Sequence, residues 1–196
     1  MVRLLLVLLS ILLYSCGGGT SVEYRSAKTY VSQQNYDKAE SEALKGIVNN
    51  PDDALIPYFL ALNIYGAPNS PKKNYAKTGE YFSLALEIDN KDQLDQTLPE
   101  PIPVLNKNNE QIELITIKDA INHYRYMIWA ELYNISVEFI QSSNNDKAIA
   151  QLELAGLIDP NNPLTYDMLA RLFFETQRFT KSIQNANKAL DIDNTL

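Results

Sequence analysis

The chain has 196 residues, with 17 Lys and Arg against 24 Asp and Glu, one His and one Cys, for a formal charge of −7. A single cysteine excludes an intramolecular disulfide, so the folded part is held by packing. The acidic balance argues against a nucleic-acid backbone as partner, which requires clustered Lys and Arg, and against an electrostatic hold on anionic lipid.

In chain order, the first element is an apolar run, Leu4 to Leu13, broken only by Ser10 and preceded by Arg3. About ten such residues rise roughly 15 Å as a helix, half a bilayer core. That length suits the hydrophobic region of a signal peptide. From the residues alone, the run also fits a plain secretory signal, or a short anchor, with an incidental cysteine. It ends in Leu13-Tyr14-Ser15-Cys16, followed by Gly17-Gly18-Gly19-Thr20-Ser21, a coil-like tether. The sequence up to Cys16 resembles the lipobox of bacterial lipoproteins, with an apolar residue three before the cysteine and a small one just before it. The resemblance implies cleavage before Cys16, a diacylglyceryl group on its thiol and a further acyl chain (such as palmitate) on the new amine. Two or more chains anchor stably, at about 0.8 kcal/mol per buried CH₂. The expected division is a signal peptide at 1–15, the lipidated cysteine and tether at 16–21 and a folded domain at 22–196. The expected location is the bacterial cell envelope. The absence of Asp after Cys16 leans, by family analogy, toward the outer membrane where a cell has two.

The folded part is repetitive. Tyr36, Ala39, Ala43, Gly46 and Pro51 stand at steps of three, four, three and five. The same steps recur at Tyr75, Thr78, Phe82, Ala85 and Asn90, at Asn145, Ala148, Leu152, Ala155 and Pro160, and at Phe179, Ser182, Ala186, Ala189 and Asn194. Upstream of each lies a pair three apart: Ala27 and Tyr30, Ala61 and Ile64, Ser136 and Phe139, Ala170 and Phe173. Steps of three and four share one helical face, where small residues let helices approach and aromatics fill the gaps between them. This pattern resembles the tetratricopeptide repeat, a helix-turn-helix unit. The resemblance implies an all-α, right-handed α-α superhelix. Units are expected near 22–53, 54–92, 129–162 and 163–196, the second with a longer turn through Gly66, Pro68 and Pro71. On the outer face of the last unit, Lys181, Gln184, Asn185 and Lys188 are expected to form a polar cap.

Residues 93–128 interrupt the array. Pro99, Pro101 and Pro103 forbid a helix there, and "LPEPIPVL" reads as extended chain. "VLNKNNEQIELI" reads as a small hairpin. Thr116-Ile117-Lys118-Asp119 resembles a capping box that opens a helix from about Ile117 to Gln141, so the first helix of the third unit is extended. Such an insertion is functional or disordered: it contacts a partner or covers an edge of the superhelix, and in the competing reading it, or the extended helix, fills the groove, whose residues are then simply core.

Catalysis and metal binding find no support in the residue pattern. His123 is the sole histidine, and a dyad or zinc site needs several convergent ligands. "NNPDD", "IDN" and "IDPNN" lack the glycine and terminal Glu of a calcium loop and fall where Asp and Asn serve turns. No cofactor is implied. By the family resemblance, the first helices line a concave groove for a peptide or a partner helix. The groove positions are Tyr24, Lys28 and Val31, then Tyr58, Leu62 and Tyr65, then Tyr133, Val137 and Ile140, then Asp167, Arg171 and Phe174. The expected function is a membrane-anchored adaptor or scaffold for a protein partner. The alternative is a ligand-capture lipoprotein using a tyrosine-rich groove for sugar or another small molecule.

Overall fold

The structure, a computed structural model, describes residues 20–92, 95–106 and 108–194; the apolar run, Cys16 and the glycines after it lie outside these. The described residues form four antiparallel helix pairs, one of them followed by a β-hairpin. The pairs are α1 (Val22–Ser32) with α2 (Tyr36–Asn49), α3 (Leu55–Phe59, continued as a π-helix, Leu60–Tyr65) with α4 (Tyr75–Asp89), α5 (Ile117–Gln141) with α6 (Asn145–Ile158), and α7 (Pro163–Glu175) with α8 (Phe179–Ile192). The hairpin is β1 (Thr97–Leu105) and β2 (Gln111–Thr116), antiparallel, with Ile102 opposite Leu114 and Val104 opposite Ile112.

Local chemistry sets the helix starts. Asn35, Asn74 and Asn144 each accept, through the side chain, from the backbone N–H three residues on, at Lys38, Lys77 and Lys147. Thr116 accepts from the Asp119 N–H at 3.0 Å and donates its hydroxyl to the Asp119 carboxylate at 2.8 Å. Pro163 opens α7, where a missing N–H costs nothing.

Three of the four turns within pairs are the same turn. Gln34, Ser143 and Gln177 have φ of 58°, 56° and 60°. The next N–H in each case returns to an aromatic residue's carbonyl, Asn35 to Tyr30 at 2.8 Å, Asn144 to Phe139 at 2.8 Å and Arg178 to Phe173 at 2.7 Å. These left-handed residues end each first helix without a glycine. The second pair departs. Its first helix closes with i→i+5 winding, the Gly66 N–H bonding the Ala61 carbonyl at 2.7 Å, and the loop through Ser70 and Lys72 leads to α4.

The small residues of the repeat do what their spacing demands. Ala27, Ala39, Ala43, Gly46, Thr78, Ala148 and Ala155 are buried, and Phe82, Leu152 and Phe173 fill the gaps between helices. Ser182 is half-buried and donates to the Ala170 carbonyl at 2.8 Å. The second and third pairs stack directly on each other despite the residues between them. At Gly79 of α4 an added Cβ would lie 1.9 Å from the Leu157 carbonyl oxygen of α6. This is the all-α repeat architecture, with the hairpin set beside the stack.

The last pair corrects one expectation. Its outer face is not purely polar: Phe179, Ile183 and Leu190 are exposed, while Lys181 and Lys188 lie over the rings of Phe173 and Tyr166.

Candidate functional site

The groove is built from three pieces of chain. Tyr24, Lys28 and Val31 recur at near-helical steps on α1, and Tyr58 and Leu62 on α3, which puts each set on one face. The third piece is β1, from Leu98 to Pro103, with Tyr124 of α5 beside it. Together they enclose about 520 Å³.

The hairpin is a fixed wall, and Gln96 fixes it. Its N–H bonds the Asp89 carboxylate at 2.6 Å and its side-chain amide donates to the Asp52 carbonyl at 2.8 Å. Its side-chain oxygen accepts from the Ala54 N–H at 3.0 Å, and its carbonyl accepts from the Ile117 N–H at 2.9 Å. One residue thus ties the hairpin base to the turn between α2 and α3, to the end of α4 and to the start of α5. Leu98 and Leu114 are buried in the core they share with Tyr58, Phe82 and Ile121, and Ile102 and Val104 pack against it.

Three tyrosines converge at the groove. Tyr58 is 5% exposed, and its hydroxyl is buried with no hydrogen-bond partner among the described residues. Burial pushes its pKa up, and Tyr124 and Tyr24 nearby push it further. Tyr24 packs edge-on against Phe59, ring centres 5.5 Å apart. Burial raises its pKa too, with added effect from the charges of Asp53 and Glu100. Glu100 of β1 and Lys28 of α1 both line the groove, so its rim carries charges of both signs.

The other expected groove residues lie elsewhere. Tyr65 does not line the groove: it is 2% exposed, and its ring stacks on Tyr81 at 5.4 Å. The physical reason is the π-helix, whose slower winding leaves Tyr65 behind the Tyr58 and Leu62 face. Its hydroxyl donates to Glu40. The expected continuity between the second and third units is also absent. Tyr133 stacks on Trp129 at 5.1 Å, and Ile140 packs against the core of the last two pairs. Val137 is half-buried between them on α5. The N-terminal extension of α5, through Ile117, Ile121 and Tyr124, packs on the second unit instead. At the far end, Arg171 pairs with Asp167 at 2.9 Å, and Phe174 meets Phe179 edge-on.

Phe59 was missed in the sequence, whereas β1 and Tyr124 stand where the competing reading of the insertion and the extended helix put them, and Tyr58 is core, as that reading has it. Tyr124 belongs to the apolar stripe of α5, which was visible. That the stripe faces the second unit depends on the hairpin's path and was not. Cys16, the expected lipid attachment, lies outside the described residues. His123 is half-buried and meets Tyr124 edge-on at 5.3 Å. Among the described residues no group of three His, Cys, Asp or Glu could hold a metal, and no helix is long and apolar enough to cross a membrane.

The family model of the tetratricopeptide repeat matches residues 164–196, the last helix pair. Several solved structures are similar over most of the chain. One of MamA is 14% identical, covering 89% of this chain and 76% of that one, with a TM-score of 0.34. A second MamA structure is 12% identical, covering 95% and 85%, also at 0.34. The TPR2AB domain of yeast Sti1 in complex with pHSP90 is 14% identical, covering 89% and 77%, at 0.34. No curated protein matches. At those scores the assignment of the fold rests on the repeated turns, the buried small residues and the matched last pair.

Proposed function

We propose that this chain is a scaffold of the bacterial envelope, non-enzymatic, tethered to a membrane through acyl chains on Cys16, that holds a protein or peptide partner in the groove between α1, α3 and β1. The observation that carries the binding half is the groove itself. Aromatic and aliphatic side chains at family-type positions, Tyr24, Tyr58 and Leu62, face a second wall supplied by the hairpin. An apolar concavity with few polar groups suits a polypeptide's side chains. The tethering half rests on the lipobox resemblance, and the outer membrane is the membrane favoured.

Two measurements test the two halves separately. Cys16→Ser should move the protein from the membrane fraction to the soluble fraction; a variant that stays with membranes ends the lipid reading. Crosslinking in envelope extracts should yield a discrete protein partner that Leu62→Asp abolishes while the helical circular dichroism is kept. Saturable sugar binding, with no protein partner, would replace the scaffold by the capture reading.

A further inference from the structure

The last helix pair leaves open a face that has a covered counterpart inside the same chain. The third and fourth units repeat at thirty-four residues, which sets Ile183 at the place of Ile149 and Leu190 at that of Gly156. Ile149 is 4% exposed, in a core shared with Tyr166, Leu169 and Leu172 of α7, and Gly156 lies against Tyr166. Ile183 is 62% exposed. We propose that the outer face of α7 and α8 docks the same face of a second copy of this chain, giving a two-fold dimer. This face lies at the opposite end of the stack from α1, and its pairing does not depend on what the groove holds.

The face is built as a helix-pairing seam. Phe179, Ile183, Ala186 and Leu190 follow steps of four, three and four along α8, the spacing at which one side of a helix meets another. Phe179, Ile183 and Leu190 are exposed, and so is Phe174 of α7, which meets Phe179 edge-on at 5.6 Å. Beside Phe174 a hollow of about 360 Å³ opens over Ala170 and Ser182. Four large side chains exposed to about half present on the order of 400 Å² of apolar surface. With a rim of ordinary polarity this makes about 700 Å² a copy, somewhat under a standard interface and enough for a weak one.

The other end of the stack cannot supply the cover. In α1, Glu23, Ser26 and Thr29 stand where Tyr166, Leu169 and Leu172 stand in α7, and the Glu23 carboxylate already accepts from Asn49 at 2.7 Å. A polar helix of that kind caps a stack and does not extend it. Head-to-tail chains are therefore disfavoured, and the apolar face of a second copy is left to meet its own equivalent.

Charge permits the pairing in a chain whose formal charge is −7. The positions flanking the seam, Thr180 and Asn187, are uncharged. Lys181 and Lys188 lie on the far side of α8, over the rings of Phe173 and Tyr166 at 5.1 and 4.0 Å. On the lip of the hollow Arg171 and Glu175 carry opposite signs, so a two-fold axis sets unlike charges within reach of each other.

The test is analytical ultracentrifugation of the full chain carrying Cys16→Ser, from about 1 μM to about 1 mM. A monomer–dimer equilibrium that stops at the dimer is expected. Ile183→Asp should raise its dissociation constant at least about a hundredfold, because the residue counts twice in a two-fold interface, while the helical circular dichroism is kept. Val48→Asp, a change at the exposed apolar residue of α2, should leave the dimer unaltered. Amide exchange in α8 should slow as the concentration rises, and exchange in α1 should not. A chain that stays monomeric throughout would overturn the proposal, and so would a dimer indifferent to Ile183→Asp or equally weakened by Val48→Asp. Growth past the dimer would overturn it too, since that is the signature of head-to-tail stacking.

Discussion

At the scale of single residues, Glu40 shows how one half-buried carboxylate replaces a regular turn. The second unit lacks the left-handed turn of the others, and its long loop is held by charge. Lys72 of that loop reaches Glu40 at 2.6 Å and Asp37 at 2.7 Å. Tyr65 donates to the other Glu40 oxygen, and Lys77 donates to the Tyr65 hydroxyl at 3.2 Å and lies over its ring at 4.5 Å. Burial is the largest single effect on Glu40 and raises its pKa. The bonds from Lys72 and Tyr65, with the charges of Lys72 and Lys77, outweigh it and hold the pKa below its usual 4.5. A depressed folded-state pKa gives stability that is complete above the unfolded value and is lost as pH falls through the folded one. Glu40→Gln should therefore destabilise the protein by about 1–3 kcal/mol at neutral pH. Urea unfolding should show that deficit shrinking below about pH 4.5. An equal deficit at neutral and acid pH would mean the carboxylate's charge contributes nothing.

At the scale of elements, the decisive contact is the crossing of α4 and α6. Gly79 is the small residue that lets the second helix of one unit meet that of the next across the insertion, its Cα facing the Leu157 carbonyl. Gly79→Ala gains helix propensity worth about 1 kcal/mol. It also places a methyl where a backbone oxygen stands, and overpacking of this kind costs about 1–3 kcal/mol even where side chains can yield. The net result should be a lower melting temperature despite the better helix former, read by thermal circular dichroism; an increase would show that the two helices stand further apart. The same contrast marks what was legible in the sequence. Ala39, Ala43, Thr78 and Ala148 declared the paired helices because a buried small residue recurs at helical steps, and Thr116 with Asp119 declared the start of α5. The π-helix was hidden, since Leu60 to Tyr65 carries no local signal for it; it comes with the stacking of Tyr65 on Tyr81 and its bond to Glu40. The placement of the hairpin was hidden too, because it rests on Gln96 reaching Asp52 and Ala54, over forty residues away in sequence. Hence the helical face shared by Tyr58 and Leu62, and that of Tyr24, was readable, and the exact seat of the hairpin against them was not.

At the scale of the whole molecule, the stack is a nearest-neighbour structure, and its stability is graded along its length. Each helix pair touches only its neighbours, so an end pair is held from one side. The burial follows this. In α1 only Ala27 is buried and in α8 only Ala189, whereas α4 buries Thr78, Gly79, Phe82, Ala85, Ile88 and Asp89. The hairpin adds to the same inner region, since Leu98 and Leu114 share a core with Phe82, Ala85 and Ile88. The two ends are not equal, however. The Glu23 carboxylate of α1 accepts from Asn49 at 2.7 Å and Tyr24 packs on Phe59, so α1 is tied to both α2 and α3. Helix α8 is tied to α7 through Ser182 and to the third unit through Arg178 and Asp146 just ahead of it, at 2.8 Å. Its far face, with Phe179, Ile183 and Leu190, is open. Native-state amide exchange should therefore be fastest in α8, intermediate in α1 and slowest in α4 and α6, because exchange reports the free energy of local opening. Arg178→Ala, which removes one of the ties at the start of α8, should speed exchange in α8 while leaving α4 unchanged. Uniform protection from α1 to α8 would instead mean that the chain opens as one cooperative unit, and that the close crossing at Gly79 couples the ends of the stack more strongly than burial alone implies.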